Sequence, residues 1–154
     1  MDFQLNLNTD TVELTHPGKP LLVGPQTSIA EVLELLKAQN TGSVLVCRDG
    51  VLVGVFTERD ALRVMASGCD FQAPIATVMT PRPVTVHARE TISSAINRMA
   101  SGGYRRLPMV NDRGRPIGML KVSGILRYLV EHFPRAIYTL PPEPHQSAKE
   151  RDGA

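Results

Sequence analysis

The segment Thr27–Leu62, TSIAEVLELLKAQNTGSVLVCRDGVLVGVFTERDAL, decides the fold because its pattern occurs twice in the chain. The second copy begins at Glu90 and reads ETISSAINRMASGGYRRLPMVNDRGRPIGMLKVSGIL. The copies are offset by 63 residues before the GGYRR stretch and by 64 residues after it, because the second copy has one extra residue there. This period is too long for a solenoid, and two copies alone predict a pseudo-twofold pair.

Each copy contains the same order of predicted elements. Apolar residues at i, i+3, i+4 and i+7 from Ile29 and from Ile92 indicate amphipathic helices, and Ser28 and Thr91 lie at their N-cap positions. Turns with Asp, Asn and Gly indicate a hairpin after each helix. The expected strands are PLLV, Ser43–Cys47 and Val51–Phe56, then PVTV, Leu107–Val110 and Ile117–Leu120, and the closing helices are about Glu58–Ala66 and Ser123–His132.

The predicted fold is therefore α/β (α+β), with two β-α-β-β-α repeats. One repeat cannot cover both faces of its own sheet, so the two should pack sheet to sheet about a pseudo-twofold axis. The expected segments are an N-terminal extension (1–19), the first repeat (20–68), a linker (69–82), the second repeat (83–133) and a tail (134–154). The alternating stretch 3–14 predicts a half-exposed strand or hairpin, and the proline-rich, charged tail predicts disorder.

The composition argues against several classes of protein. The chain of 154 residues has 42% hydrophobic and 21% charged residues, with no apolar run of about 18 residues that could cross a membrane. Its N-terminus is unlike a signal peptide, so we expect a cytoplasmic location. The two cysteines and four histidines are scattered, which predicts reduced thiols and no metal site. No motif for a nucleophile or a phosphate-binding loop indicates an enzyme, and we expect no catalytic residues.

Thr57 and Asp60 lie where a strand meets a helix, and two interpretations of them are open. The pair can cap the helix. The helix N-terminus can also attract phosphate while Asp60 accepts hydrogen bonds from two ribose hydroxyls. The two interpretations are compatible. In the second copy the equivalent residues are Lys121 and Gly124, so that copy is expected to form its helix without the pair.

Charge is distributed unequally between the copies. Residues 20–67 contain four basic and five acidic residues, whereas residues 82–131 contain nine basic and three acidic ones. The basic residues can form a solvated face, or Arg105 and Arg106 can neutralise phosphate. The formal net charge is only +2, and no helix-turn-helix or aromatic platform is evident, so nucleic acid is not an expected partner.

These features make the chain resemble a tandem pair of CBS domains, the Bateman module. The resemblance rests on GSVLVCRDGVLVGVFTERDAL, on the linker VMTPRPVTV and on YRRLPMVNDRGRPIGML, and it covers about residues 20–131. It implies a ligand-sensing module with one cleft for each copy. It also implies an adenosine ligand, which is AMP, ADP, ATP or S-adenosylmethionine.

The resemblance also implies which residues bind the ligand. Thr57 and Asp60 would hold the ribose, apolar residues would contact the purine, and arginines of the second copy would face the phosphates. The nucleotide site would comprise Val55, Phe56, Thr57, Asp60, Val84, Thr85, Val86, Arg105, Arg106 and Pro108. A second cleft, with weak or no binding, would include Thr27, Ser43 and Lys121.

Two functions are compatible with this resemblance. The first is a stand-alone sensor that signals to an unidentified effector protein or through self-assembly, as a homodimer. The second is a scaffold for dimerisation that binds no nucleotide.

Overall fold

The computed structural model describes residues 7–132. The predicted β-α-β-β-α order is confirmed in both copies. The elements are β1 (Leu22–Val23), α1 (Ile29–Ala38), β2 (Ser43–Arg48), β3 (Val51–Thr57), α2 (Glu58–Ser67), β4 (Thr80–Pro81), β5 (Val86–His87), α3 (Ile92–Gly102), β6 (Arg106–Val110), β7 (Pro116–Lys121) and α4 (Val122–His132). The predicted disordered tail, 134–154, lies outside the described residues.

The two sheets have the same plan. The order is β1-β2-β3-β4 in the first copy and β5-β6-β7 in the second. β1 is parallel to β2, and β5 to β6, because a helix connects the members of each pair. The strands that follow form antiparallel hairpins. In the first hairpin, Asp49 and Gly50 have φ of 53° and 81°, the positive values that a two-residue type I′ turn requires.

Each sheet packs against its own helices through an apolar core. Ile29, Val32, Val44, Val46, Phe56 and Ile75 are fully buried in the first core, and Val12, Val86, Ile92, Ala95 and Leu120 in the second. Leu45 lies between two core residues of β2 and is also fully buried, although successive strand residues point to opposite faces. The second face of the first sheet is therefore covered as well, as expected for two copies packed sheet to sheet.

The N-terminal segment differs from the predicted strand or hairpin. Residues 7–9 are helical, Val12–Thr15 form a 3₁₀ turn, and residues 3–6 lie outside the described part of the chain. The alternation of apolar and polar residues did not determine the structure of this segment. Its position depends on packing against the second copy, where Val12 is fully buried in the core. Its backbone N–H donates to the Glu90 carbonyl at 3.0 Å, and Ile92 N–H donates to the Asp10 carbonyl at 2.9 Å.

The linker packs on the first copy in the same way. Ile75 is fully buried in the first core, and Ile29 N–H donates to the Ala73 carbonyl at 3.0 Å. β4 then pairs with β3 at Gly54 and Val55, just as Gly18 pairs with Met119 of β7. The structural equivalence of the two copies thus includes residues 7–18 and 70–81.

Candidate functional site

An open cleft of about 730 Å³ lies between the two copies. This volume falls within the range of roughly 300–1,000 Å³ that is typical of small-molecule sites. Of the ten residues expected at a nucleotide site, the cleft is lined by Val55, Thr57, Asp60, Val84, Arg105, Arg106 and Pro108. Asp60 and Arg105 are 45 residues apart in the sequence, and the fold brings them to one cavity.

Thr57 and Asp60 form a complete capping box at the start of α2. Asp60 N–H donates to Thr57 Oγ1 at 3.4 Å, and the Thr57 backbone N–H donates to Asp60 Oδ2 at 3.0 Å. The Thr57 hydroxyl donates to the same Oδ2 at 3.2 Å. The other oxygen, Oδ1, lies 3.5 Å from Nη1 of Arg63. The cap predicted from the sequence is thus present, and it uses mainly one carboxylate oxygen.

The remaining three residues do not line the cleft. Phe56 follows Val55 in β3 and points to the opposite face, where it is fully buried in the first core. Val86 is fully buried in the second core. Thr85 is partly buried, and its carbonyl accepts a hydrogen bond from Arg98 Nη1 at 2.8 Å.

The two adjacent arginines have different environments. The Arg105 side chain is exposed, whereas Arg106 is partly buried. Nη1 of Arg106 donates to Oγ of Ser43 at 3.3 Å, which connects the second copy to the first. Arg105 is therefore the freer of the two to meet a ligand, and Arg106 also contributes to the contact between the copies.

The sequence interpretation missed several polar residues that line the cleft. They are Glu58, Arg59, Arg63, Thr80, Arg82 and Tyr104. Arg59 and Arg63 lie within one helical turn of Asp60, and this spacing could have indicated that they line the same cleft. Arg82 has φ of 48°, an uncommon conformation for a residue with a side chain, and no sequence pattern indicated it. With Arg105 and Arg106, five arginines face two carboxylates in the cleft.

The counterpart of this cleft in the second copy is smaller. Lys121 and Gly124 line a cavity of about 160 Å³, together with residues 15–18 and Arg127. Thr27 and Ser43, expected at the second cleft, do not line it. The Thr27 carbonyl accepts from Ile75 N–H at 2.7 Å, and Ser43 is buried beside Arg106. Residues 15–18 of the N-terminal segment line this cavity instead.

Among the described residues, the displaced pKa values belong to groups outside the cleft. A hydrogen bond from Arg98 lowers the pKa of Glu90 to about 2. Hydrogen bonds from Arg89 and His87 lower the pKa of Asp112. Burial raises the pKa of the Cys47 thiol. Within residues 7–132, no group of three His, Cys, Asp or Glu side chains could hold a metal, and no helix is long and apolar enough to cross a membrane.

The CBS domain family model matches residues 13–67 and 75–131, so the chain belongs to the CBS domain family. The first matched segment includes residues 13–18, which pack on the second copy, and the second includes residues 75–81, which pack on the first copy. The resemblance to a tandem CBS pair is thereby confirmed.

Individual relatives agree with this membership. The chain is 36% identical over 116 residues to CBS domain-containing protein YhcV of Bacillus subtilis, covering 75% of this chain and 82% of YhcV. It is 39% identical over 106 residues to the Meiotically up-regulated gene 70 protein of Schizosaccharomyces pombe, covering 68% of this chain but only 14% of that protein. A CBS domain protein from Pyrobaculum aerophilum, solved in complex with AMP, is 26% identical with a TM-score of 0.68, covering 79% of this chain and 96% of that one.

Proposed function

We propose that this chain is a non-catalytic regulatory module that binds one adenosine ligand in the cleft between its two copies. The ligand is AMP, ADP, ATP or S-adenosylmethionine. The module acts in the cytoplasm and passes the binding signal to an effector protein or through self-assembly as a homodimer. One observation carries the proposal: Thr57 and Asp60 of the first copy line the same cleft as Arg105 of the second.

The cleft contains a group suited to each part of a nucleotide. Oδ1 of Asp60 retains capacity to accept a hydrogen bond from a ribose hydroxyl, because the cap engages mainly Oδ2. Val55, Val84 and Pro108 provide apolar contacts for a purine. The exposed guanidinium of Arg105 can form a charge-assisted pair with phosphate. The AMP complex of the Pyrobaculum aerophilum protein supports this assignment.

Titration calorimetry with the four ligands tests the proposal on the Asp60→Asn variant. Asparagine can still accept the hydrogen bond from Thr57 N–H, but its NH₂ group replaces the second acceptor oxygen. We expect an affinity loss of roughly 10- to 150-fold, the consequence of losing a hydrogen bond to a charged group. Asp49→Asn is the matched control, since it makes the same change in an exposed turn. Equal affinity in the two variants would reject the ribose assignment.

The second candidate function is a dimerisation scaffold that binds no nucleotide. It is favoured by the exposure of Leu62 (68%) and Leu126 (56%), which occupy equivalent positions on α2 and α4. No heat and no thermal shift with any of the four ligands at millimolar concentration would support the scaffold over the sensor.

A further inference from the structure

The small cavity beside Lys121 differs in chemistry from the main cleft, although the two occupy equivalent places in the copies. Residues 15–18 form one side of it, Met119 and Lys121 of β7 a second, and Ser123, Gly124 and Arg127 of α4 a third. We refer to it as the Lys121 cavity. It has no role in the proposed nucleotide site.

The charges around the Lys121 cavity are all positive or neutral. Lys121 takes the place of Thr57, Gly124 that of Asp60, and Arg127 that of Arg63. Among residues 7–132, two carboxylates line the main cleft, whereas none lines the Lys121 cavity. Glu58 and Asp60 correspond to Val122 and Gly124, so the second copy has neither of the two carboxylates at the equivalent positions.

The two cations of the Lys121 cavity also have no ion-pair partner in the part of the chain that the structure describes. Within residues 7–132, neither Lys121 nor Arg127 makes an ion pair. Other arginines of the same copy are paired: Arg89 with Asp112 and Arg98 with Glu90, each at 2.6 Å. Two like charges at one small cavity raise its positive potential and attract a counter-ion.

The size of the cavity limits what can enter. Its volume of about 160 Å³ is well below the roughly 300 Å³ at which sites for drug-sized molecules begin. The N-terminal segment is held along one side of it, because Gly18 and Met119 exchange backbone hydrogen bonds of 3.2 and 2.9 Å. Pro17 lies so close to Gly118 that its Cβ would be 2.9 Å from a side-chain carbon placed there. A nucleoside would not fit without displacing this segment.

We propose that the Lys121 cavity binds a small oxyanion of the phosphate type and not a nucleoside. Lys121 offers three N–H donors, Arg127 a planar fork of donors, and Ser123 a hydroxyl. Lysine has no acceptor atom, so Lys121 cannot cap the first-turn amides of α4 as Thr57 caps those of α2. Those amides add further donors at the same place.

Amide-resolved NMR titration with inorganic phosphate tests this proposal, with ionic strength held constant by chloride. We expect saturable shifts at Ser123 and Gly124 in the unmodified chain. Lys121→Gln should weaken the affinity about tenfold or more. Arg113→Gln, which removes one positive charge from an exposed turn outside the cavity, should leave it unchanged. Shifts that never saturate, or equal affinity in the two variants, would show non-specific screening and overturn the proposal.

A second variant checks the role of the missing carboxylate. Gly124→Asp restores the charge found at Asp60, in a first helical turn where an acidic residue is favourable for folding. It should abolish the phosphate-dependent shifts. Retention of these shifts in a folded Gly124→Asp protein would contradict the proposal.

Two further measurements distinguish binding at this cavity from binding at the nucleotide cleft. The Asp60→Asn variant should lose nucleotide affinity and keep the phosphate shifts at Ser123 and Gly124. If Asp60→Asn removes those shifts, the phosphate signal comes from the main cleft and the proposal fails. If AMP shifts these amides and phosphate does not, the cavity accepts only the end of a nucleotide, which also overturns it.

Discussion

At Asp60, the observed helix cap and the proposed ribose contact fall on different atoms of one carboxylate. Oδ2 accepts from the backbone and hydroxyl of Thr57, while Oδ1 has only the longer contact to Arg63. The second copy forms α4 directly after β7 with lysine at the capping position. A capping box is therefore not a condition of the fold, which leaves a ligand as a reason for this pair.

The neighbouring arginines Arg105 and Arg106 should respond differently to truncation. Arg105→Ala should weaken ATP and ADP more than adenosine, with a difference that narrows at high salt, because an exposed guanidinium acts by screened charge. Arg106→Ala should also lower the free energy of unfolding, because it removes the donor to buried Ser43. Calorimetry and urea denaturation measure the two effects.

Arg113→Ala is the control for both arginines, since its side chain is exposed and outside the cleft. Equal losses for adenosine and ATP in Arg105→Ala would show that this side chain does not meet phosphate. An Arg106→Ala protein as stable as Arg113→Ala would remove its assigned contribution to the contact between copies.

Glu90 predicts a specific dependence of stability on pH. Its carboxylate accepts from Arg98 at 2.6 and 2.9 Å and from His87 N–H at 2.6 Å, and its pKa is about 2 instead of the ordinary 4.5. A lowered pKa in the folded state stabilises the protein above pH 4.5, and this stabilisation disappears as the pH falls from about 4.5 towards 2. Glu90→Gln should therefore be less stable than the unmodified chain at pH 7. Its stability should also fall by a smaller amount when the pH is lowered.

Urea midpoints at pH 7 and pH 3 provide the comparison for Glu90. Because about a quarter of the Glu90 side chain and a third of that of Arg98 are exposed, solvent screening makes the effect modest. Asp49→Asn is a suitable control, since Asp49 is exposed in a turn and makes no ion pair within residues 7–132. If the urea midpoint falls between pH 7 and pH 3 by the same amount in Glu90→Gln as in the unmodified chain, this assignment is rejected.

Among the elements, the strands show what the sequence could and could not predict. Except for β4, which lies in the segment expected to be a linker, their order and approximate bounds followed from the repeat, the apolar periodicity and the turn residues. The period of two within β3 also implies that Val55 and Phe56 cannot both line one cleft, as the structure shows. For Val84, Thr85 and Val86 that rule gave no guidance, because β5 begins only at Val86.

The N-terminal segment marks the limit of prediction at this scale. Residues 7–18 and 70–81 have equivalent positions in the fold, yet little in their sequences matches apart from Val12 and Ile75, which are both fully buried. Their equivalence lies in backbone hydrogen bonds, at Ile92 and Asp10 in one copy and Ile29 and Ala73 in the other. Backbone hydrogen bonds depend little on which side chains are present. The N-terminal residues that line the Lys121 cavity therefore could not be recognised from the sequence.

Gly54 of β3 and Gly118 of β7 form a matched pair for testing this packing. A side-chain carbon at Gly54 would meet the end of the flexible Met79 side chain, whereas one at Gly118 would meet the rigid ring of Pro17. Gly118→Ala should therefore destabilise the fold by roughly 1–3 kcal/mol, and Gly54→Ala by less, because a flexible side chain can move away. Urea denaturation compares them, and a larger cost at Gly54 would contradict the assigned position of the N-terminal segment.

For the whole molecule, the two cavities account for part of the unequal charge of the copies. Arg105 and Arg106 of the basic second copy line the main cleft beside Asp60 of the first. Arg127 and Lys121, also from the second copy, line the small cavity, where no carboxylate balances them. The duplicated fold thus places part of the positive charge of the second copy at two different sites. Of these two sites in the described part of the chain, the main cleft is the one with the volume for a nucleotide.

The exposed apolar residues of α2 and α4 lead to a prediction about assembly. Leu62 and Met65 on α2, and Val122, Leu126 and Val130 on α4, are between 38% and 68% exposed. Those of α4 recur every four residues and so form one stripe, and such stripes mark interaction surfaces. Because α2 and α4 are equivalent elements, both helices can contribute to one self-complementary interface with a second copy.

Sedimentation velocity on a Leu62→Glu, Leu126→Glu double variant tests this assembly. We expect the unmodified chain to be a dimer and the double variant a monomer, because burial of each leucine contributes roughly 1.5–3 kcal/mol, or about tenfold or more in the dissociation constant. Leu22→Glu makes the same substitution at a leucine of β1 that is 49% exposed, and it should remain dimeric. A monomeric unmodified chain at tens of micromolar would reject the homodimer. Equal weakening by Leu22→Glu would show that the dimer uses a surface other than α2 and α4.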